Sequence, residues 1–382
     1  MRKGWETRRL GEVFEIQRGG SPRPIQAFLT SEPDGIPWIR IGDATNRSKF
    51  ITQTEHKIRP DGAKRSRVVR PGDFLLSNSM SFGRPYILKI SGCIHDGWLV
   101  LRPKTTEVTQ DYLFYVLSSA SLYSQFDRLA AGSTVRNLNI GLVQGVEMPI
   151  PPLSEQHRIV ALLDEAFAGI AKARENTERN LENAREVFDS FLQAAFSAPQ
   201  TVWHRTTVDR LSTNLDGRRI PITKTDRIAG NYPYYGASGI VDHVADYLFD
   251  GDNLLVSEDG ANLLARSTPI AFSVSGRYWV NNHAHVLNFT HRATQRFVEF
   301  YLESIQIDEF VTGAAQPKLT QKALNSIPIP IPENVDEQAR IVEAIESSQA
   351  ATQRLTALYQ RKLAALDALK QSLLHQAFHG DL

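Results

Sequence analysis

Residues 155–160 read EQHRIV and residues 337–342 read EQARIV, and each follows a PIP run and precedes a long helical pattern. One offset, 182, superposes Glu155-Gln156 on Glu337-Gln338 and Ala195-Phe196 on Ala377-Phe378 without a gap. Upstream, an offset of 181 aligns GSTVRNL (132–138) with GAAQPKL (313–319), and MPIP (148–151) with IPIP (329–332). Weaker echoes pair RPGDFLLS (70–77) with FDGDNLLVS (249–257), and YLFYVLSS (112–119) with VEFYLES (298–304). Trp5 and Trp203 open the two halves. A collinear series of matches of this kind marks an internal duplication, so whatever one half folds into, the other repeats.

Each half has an irregular part and a helical part. The irregular parts carry short β-branched and aromatic runs (IPWIRIGDA, DFLLSNS, GWLVLRP, NLLVSEDG, HAHVLNF) broken by turn residues, with helical patterns near 110–130 and 294–311. They predict two mixed α/β domains, 1–153 and 199–334. The helical parts, 154–198 and 335–382, predict one long helix each, the first with Ser154 as N-cap. Apolar residues recur at alternate steps of four and three. In the first helix the stripe runs through Ile159, Leu163, Ile170, Ala184 and Phe191; in the second, through Ile341, Ile345, Leu355, Leu366 and Leu373. That is a coiled-coil seam, with Asn180 and Lys362 as its matched polar positions. Forty-odd residues make a rod of roughly 60 Å. The cheapest partner for such a rod is its own copy, so we expect an antiparallel coiled coil, a globular domain at each end, and a pseudo-twofold internal repeat.

The chain of 382 residues has one cysteine, Cys93, which excludes an intrachain disulfide and fits a cytoplasmic protein. No apolar run is long enough for a signal peptide or a membrane span. The net charge of +1 hides an asymmetry. Residues 1–150 hold 21 Lys and Arg against 14 Asp and Glu, whereas residues 201–332 hold 12 against 13. The first domain therefore suits a polyanion better than the second.

Catalytic motifs are missing. There is no GxxxxGK(S/T) loop. NYPYY (231–235) approaches the (N/D)PP(Y/F) signature of amino-methyltransferases, but Tyr232 stands where the first proline belongs and no FxGxG loop accompanies it. PDGAK (60–64) opens like a PD…(D/E)xK nuclease, yet the acidic-x-Lys at Glu55-His56-Lys57 precedes it. His283 and His285 lack a third metal ligand at a clear spacing, His375 and His379 suit a solvated helix end, and Asp242-His243 has no nucleophile in an elbow. We expect neither a catalytic residue nor a metal or cofactor on this chain.

The segments PIPPLSEQHRIVALLDEAF (149–167), PYYGASGI (233–240), IPIPENVDEQARIVEAIE (329–346) and LLHQAFHGDL (373–382), set in a duplicated domain-plus-helix plan, resemble the specificity subunit (HsdS) of type I restriction–modification systems. The resemblance covers essentially the whole chain. It implies two target recognition domains, each reading one half of a bipartite site in double-stranded DNA. It implies helices that hold these domains at a fixed separation and dock two modification subunits, which bring S-adenosylmethionine. Restriction subunits using ATP and Mg would join the larger assembly. The alternatives are a self-sufficient nuclease or methyltransferase, against which the missing motifs argue, and a coiled-coil scaffold with heads that do not bind DNA.

Phosphate contacts need cations and small polar groups; base contacts need paired donors or acceptors. In the first domain the candidates are Arg40 and Asn46, the basic run with Lys64, Arg65 and Arg67, and Ser77, Asn78, Ser79 and Arg84 after a strand. The small polar ones suit a turn equally well. In the second they are Tyr234, Tyr235 and Ser238, where tyrosines among glycines suit either base contact or a packed turn. Ser257 and Glu258 follow, where a glutamate suits cytosine N4 or a helix cap, and then Arg277, Asn281 and Asn282. Arg136 and Lys318 place a cation near each domain–helix junction and are assigned to phosphate.

Overall fold

The structure, a computed structural model, describes residues 4–45, 48–78, 83–130, 138–197, 203–313 and 315–382. It forms two compact units, 1–177 with 361–382, and 178–360. The unit boundaries cut both long helices near their middles, so one half of each helix falls in each unit.

In the first unit a five-stranded sheet runs in the order Phe14–Arg18, Trp98–Pro103, Phe74–Ser77, Pro85–Leu88 and Phe50–Ile51. Side chains alternate across a strand, and here both faces are buried. Leu99 and Leu101 enter one core with Phe74 and Leu76, while Trp98 and Val100 enter another with Leu75 and Tyr86. A second five-stranded sheet follows the order Leu29–Thr30, His56–Ile58, Ile36–Ile39, Gly92–Ile94 and Arg67–Val69. Helix Gln110–Leu117 packs Tyr112, Leu113 and Val116 into the first core, capped by Thr109, whose side chain accepts from the Tyr112 amide.

The second unit repeats this logic with two four-stranded sheets. One runs Ser212–Asn214, Ala284–Phe289, Asn253–Ser257, Ala271–Val274; the other runs Gly239–Val244, Ala229–Gly236, Arg277–Val280, Phe249–Asp250. Leu254 and Val256 enter one core and Leu255 another. In both units the PIP run is a strand of an antiparallel ribbon. Glu147–Ile150 pairs with Glu6–Arg9, and Pro328–Ile331 pairs with His204–Thr207, so each ribbon ties the start of a globular part to the entry of its long helix.

The helices span Leu153–Ser197 and Val335–His379. Ser154 is not the N-cap. The Pro152 carbonyl accepts from the Glu155 and Gln156 amides at 2.9 and 3.0 Å, and in the second helix Asn334 takes that place, its side-chain oxygen accepting from the Asp336 amide at 2.8 Å. The repeated glutamine is a clamp. Gln156 is fully buried; its oxygen accepts from the Thr109 amide, and its Nε2 donates to the Glu107 and Pro151 carbonyls, all at 2.9 Å. Gln338 likewise accepts from the Thr294 hydroxyl at 2.6 Å and donates to the Pro332 carbonyl at 2.8 Å.

The helix halves run antiparallel in each unit. In the first, Arg174 pairs with Asp367 at 2.9 Å and Arg158 donates to the Leu382 carbonyl at 2.7 Å, and Ile159 and Leu163 share a core with Leu374, Ala377 and Phe378. In the second, Leu192 shares a core with Val342 and Ile345.

The expected seam needs correction. Ile159, Leu163, Ala184 and Ile345 are buried, and Ile170, Ile341, Leu366 and Leu373 are half-buried. Phe191 and Leu355, however, are 40% and 41% exposed. The inward stripe passes instead through Leu181, Phe188 and Leu192, and through Thr356, Leu363 and Leu374, leaving Asn180 and Lys362 exposed. A strict 3.5-residue repeat lags an α-helix by about 20° per heptad. Over five heptads that amounts to one residue, which is the size of the slip.

Candidate nucleic-acid interface

The duplicated segments converge at one junction in each unit. In the first, strand Phe74–Ser77 ends beside the turn that leads into Trp98–Pro103. The Asn78 amide donates to the Gly97 carbonyl at 3.0 Å, and the Leu138 amide donates to the Asn78 carbonyl at 2.9 Å. In the second, strand Asn253–Ser257 ends the same way. The Glu258 amide donates to the His283 carbonyl at 2.8 Å, and the Leu319 amide donates to the Glu258 carbonyl at 2.8 Å. The strand registers agree, with Ser77 opposite Trp98 and Ser257 opposite Ala284. Asn78 therefore corresponds to Glu258, Asp96 to Asn282, and Leu138 to Leu319. Ser77, Asn78, Ser257, Glu258, Asn281, Asn282 and Lys318, taken from separate stretches of sequence, meet here.

Several of them serve the fold. Ser77, Asn78, Tyr234, Ser257 and Asn281 are buried and lack the access that base contact requires. Asn78 Nδ2 donates to the Asp96 carbonyl at 2.8 Å. The Tyr234 hydroxyl accepts from the Ile222 amide at 3.0 Å beneath the Arg227 guanidinium, the Ser257 hydroxyl donates to the Ala237 carbonyl, and Asn281 Oδ1 accepts from the His283 amide at 2.8 Å. Tyr235 is half-buried against Phe272 and Tyr278. Polar residues at strand ends next to turns look alike in sequence whether they face the solvent or cross-link the turn.

The accessible candidates are Lys64, Arg65, Arg67, Ser238, Arg277, Asn282 and Lys318. Arg65 lies 5.4 Å from the Phe28 ring, and Arg67 donates to the Arg18 carbonyl at 3.3 Å. Arg277 pairs with Asp250 at 3.0 Å and stands over Tyr247. Arg84 is half-buried over the Tyr86 ring. Arg40 pairs with Glu55, and its Nε is buried without a partner among the described residues. Asn46, Ser79 and Arg136 lie outside the described residues.

Glu258 is neither a free acceptor nor a cap. It bonds Arg219 at 2.7 Å and Lys318 at 3.1 Å, so the Lys318 cation is part of an ion network rather than standing alone. Arg219 also approaches Asp216, which bonds His285 Nδ1 at 2.6 Å, while His285 Nε2 faces the Leu319 carbonyl at 2.8 Å. An oxygen thus faces each ring nitrogen of the buried imidazole. Burial pushes the Asp216 and Glu258 carboxyls up, but His285, Arg219 and, for Glu258, Lys318 outweigh it and hold both below the usual range. Asp216, Glu258 and His285 place ligand atoms within 4.8 Å of one another, a metal-like grouping absent from the sequence reading. Arg219 and the Leu319 carbonyl already occupy that donor set.

A group missed from the sequence lies in the first unit. Ser21 and Arg23, from the loop after strand Phe14–Arg18, bond the Asp96 carboxylate, with Ser21 Oγ on Oδ1 at 2.7 Å and Arg23 Nη2 on Oδ2 at 3.2 Å. The Ser21 hydroxyl holds the Asp96 carboxyl below its usual range, and burial lowers His95 beside it. These residues, with Trp38, Arg40 and His56, line a cavity of about 790 Å³. The available signal was the alignment of the HDGW turn (95–98) with NNHA (281–284).

The two units thus share a junction of turns that presents side chains on a backbone frame, the architecture of a duplicated recognition protein. A family model described as the type I restriction modification DNA specificity domain matches residues 2–181 and 213–363, and the chain belongs to that family. Its role is DNA specificity, and the chain is a non-catalytic subunit. It is 34% identical over 163 residues to a putative type I restriction enzyme specificity subunit of Haemophilus influenzae, a match spanning 43% of this chain and 41% of that protein. It is 23% identical to the StySPI specificity subunit of Salmonella potsdam across 100% of this chain and 89% of that one. Among solved structures, a chain from a study of type I R-M assembly and conformational transition superposes with a TM-score of 0.82 at 19% identity, covering 100% of this chain and 99% of that one. The HsdS subunit from Thermoanaerobacter tengcongensis gives 0.62 at 20%, covering 100% and 98%. Among the described residues no helix is long and apolar enough to cross a membrane.

Proposed function

We propose that each unit reads one half of a bipartite site in double-stranded DNA and that the two long helices set the gap between the halves. The observation that carries this reading is the junction built twice with the same backbone hydrogen bonds, Leu138 to Asn78 and Leu319 to Glu258, framing different side chains. Two equivalent frames with unlike side chains suit two different half-sites. The exposed Lys64, Arg65 and Arg67 give the first unit its phosphate contacts. In this reading the helices dock two modification subunits that carry S-adenosylmethionine, and restriction subunits using ATP and Mg complete the assembly in the cytoplasm. Because the second unit lacks a basic excess, the isolated chain binds weakly and loses affinity steeply with salt, and tight binding belongs to the complex.

The test is to map methylated bases in DNA from cells expressing the chain with its modification subunits. The expected result is a consensus of two specified segments separated by a fixed unspecified gap. A single contiguous motif would overturn the reading.

A further inference from the structure

We propose that Arg23 and Asp96 together read a G·C base pair in the half-site of the first unit. This rests on the half-site reading above and names the side chains that carry it.

The argument begins with position. Asp96 occupies the turn that corresponds to Asn282 in the second unit; Asn282 is exposed and Asp96 is half-buried, with 46% of its side chain accessible, where three duplicated segments meet. Each unit therefore offers a short polar group at the same place on its frame. In the first unit the Arg23 side chain, 80% exposed, comes to that carboxylate from a loop 73 residues away.

Chemistry selects the ligand. In a G·C pair the guanine O6 and cytosine N4 are hydrogen-bonded to each other, about 2.9 Å apart, and both face the major groove. Arg23 Nη2 and Asp96 Oδ2 are 3.2 Å apart, a donor beside an acceptor, so their order and spacing complement that edge. Arg23 has further N–H groups for guanine N7, since a guanidinium carries five donors. Asp96 keeps lone pairs on both oxygens after bonding Ser21 and Arg23.

An A·T pair fits less well. Adenine N7 would lie beside the N6 donor and repel the carboxylate, and the thymine methyl would crowd the guanidinium. The Ser21 hydroxyl holds the carboxyl below the ordinary aspartate range, so at neutral pH it acts only as an acceptor and rejects a base edge that also accepts. Ser21 fixes its rotation, which an ordinary surface ion pair would leave free.

The experiment uses the complex of this chain with its modification subunits. Methylated sites are mapped for the wild type, Arg23→Ala and Asp96→Asn. In both variants one G·C position in one half-site is expected to become degenerate or change, with the other half and the gap unchanged. In binding assays, 7-deazaguanine at that position is expected to weaken the wild type about tenfold or more and to leave Arg23→Ala nearly unaffected. Three results would overturn the proposal: variants that keep the wild-type consensus at every position; an Arg23→Ala complex that loses specific and non-specific DNA equally, which would make Arg23 a phosphate contact; and a variant consensus altered only at A·T positions. A wild-type consensus without two halves would remove the broader reading and this proposal with it, whereas a bipartite consensus with unaltered variants would remove this proposal alone.

Discussion

The carboxamide oxygen of Gln156 accepts the Thr109 backbone amide at 2.9 Å, joining the first turn of a 45-residue helix to the cap of a helix in the globular core. The duplicated hexapeptide owes its glutamine to this bond and its two companions. Gln156→Ala would leave one amide and two carbonyls buried without partners, at about 1–3 kcal/mol for each such group before relaxation. We expect a loss of about 3 kcal/mol in urea unfolding followed by circular dichroism. A change below about 0.5 kcal/mol would mean that water replaces the clamp.

The corrected register of the helix pair makes a paired prediction. Leu374 is buried in the first unit's core, whereas Leu369, which continues the four-and-three stripe from Leu366 to Leu373, is 47% exposed. Leu374→Ala should cost about 3 kcal/mol and Leu369→Ala about 0.5 kcal/mol or less, as measured by thermal or denaturant unfolding. Equal costs would return the seam to its 3.5-residue course.

The unit boundaries, after Thr177 and before Arg361, are natural insertion points. Seven residues added at both keep the helix phase and lengthen each helix by about 10 Å. If the helices are the ruler, the gap between mapped half-sites grows by about three base pairs, at roughly 3.4 Å per step. An unchanged gap would show that the spacing is set elsewhere.

Exchanging residues 1–153 for the matching segment of another family member should change one half of the methylated consensus and leave the other intact. Changes in both halves would contradict modular reading. The experiment also identifies which half belongs to Arg23 and Asp96.

The network at the second junction predicts acid sensitivity. Asp216 and Glu258 are held below their ordinary values of 3.8 and 4.5, so their contribution is present above those values and fades as pH falls through the lower folded values. Asp216→Asn would leave His285 and Arg219 facing a neutral amide, and breaking a buried pair in this way costs about 3–5 kcal/mol. The variant should melt lower at pH 7 and lose less of its remaining stability on acidification from pH 5 to pH 3. An acid limb parallel to the wild type would place the sensitivity in other groups.

Much of the plan was legible because duplication is a property of order, and order survives in a sequence. The offset of 181 that joined GSTVRNL to GAAQPKL reappears as the Leu138 and Leu319 amides donating to equivalent carbonyls. The helices and their direction were legible from periodicity, but Phe191 and Leu355 were misplaced because a 3.5-residue step was imposed on helices that follow 3.6. At the interface, sequence marks polar turns without saying which way each side chain points. Hence Asn78 and Tyr234 proved buried, while the Arg23–Asp96 pair, bridging 73 residues, left no local signal.

The Asp96 and Asn282 turns are joined to the neighbouring strand ends through main-chain bonds, Asn78 to Gly97 and Glu258 to His283, and the side chains that brace them belong to Asn78 and Asn281. If Asp96 reads DNA as proposed, a mutation there alters what is read without removing those bonds. A lineage built this way can acquire new DNA targets by single steps, each step still folding, and the duplicated halves can drift apart in taste while remaining alike in build.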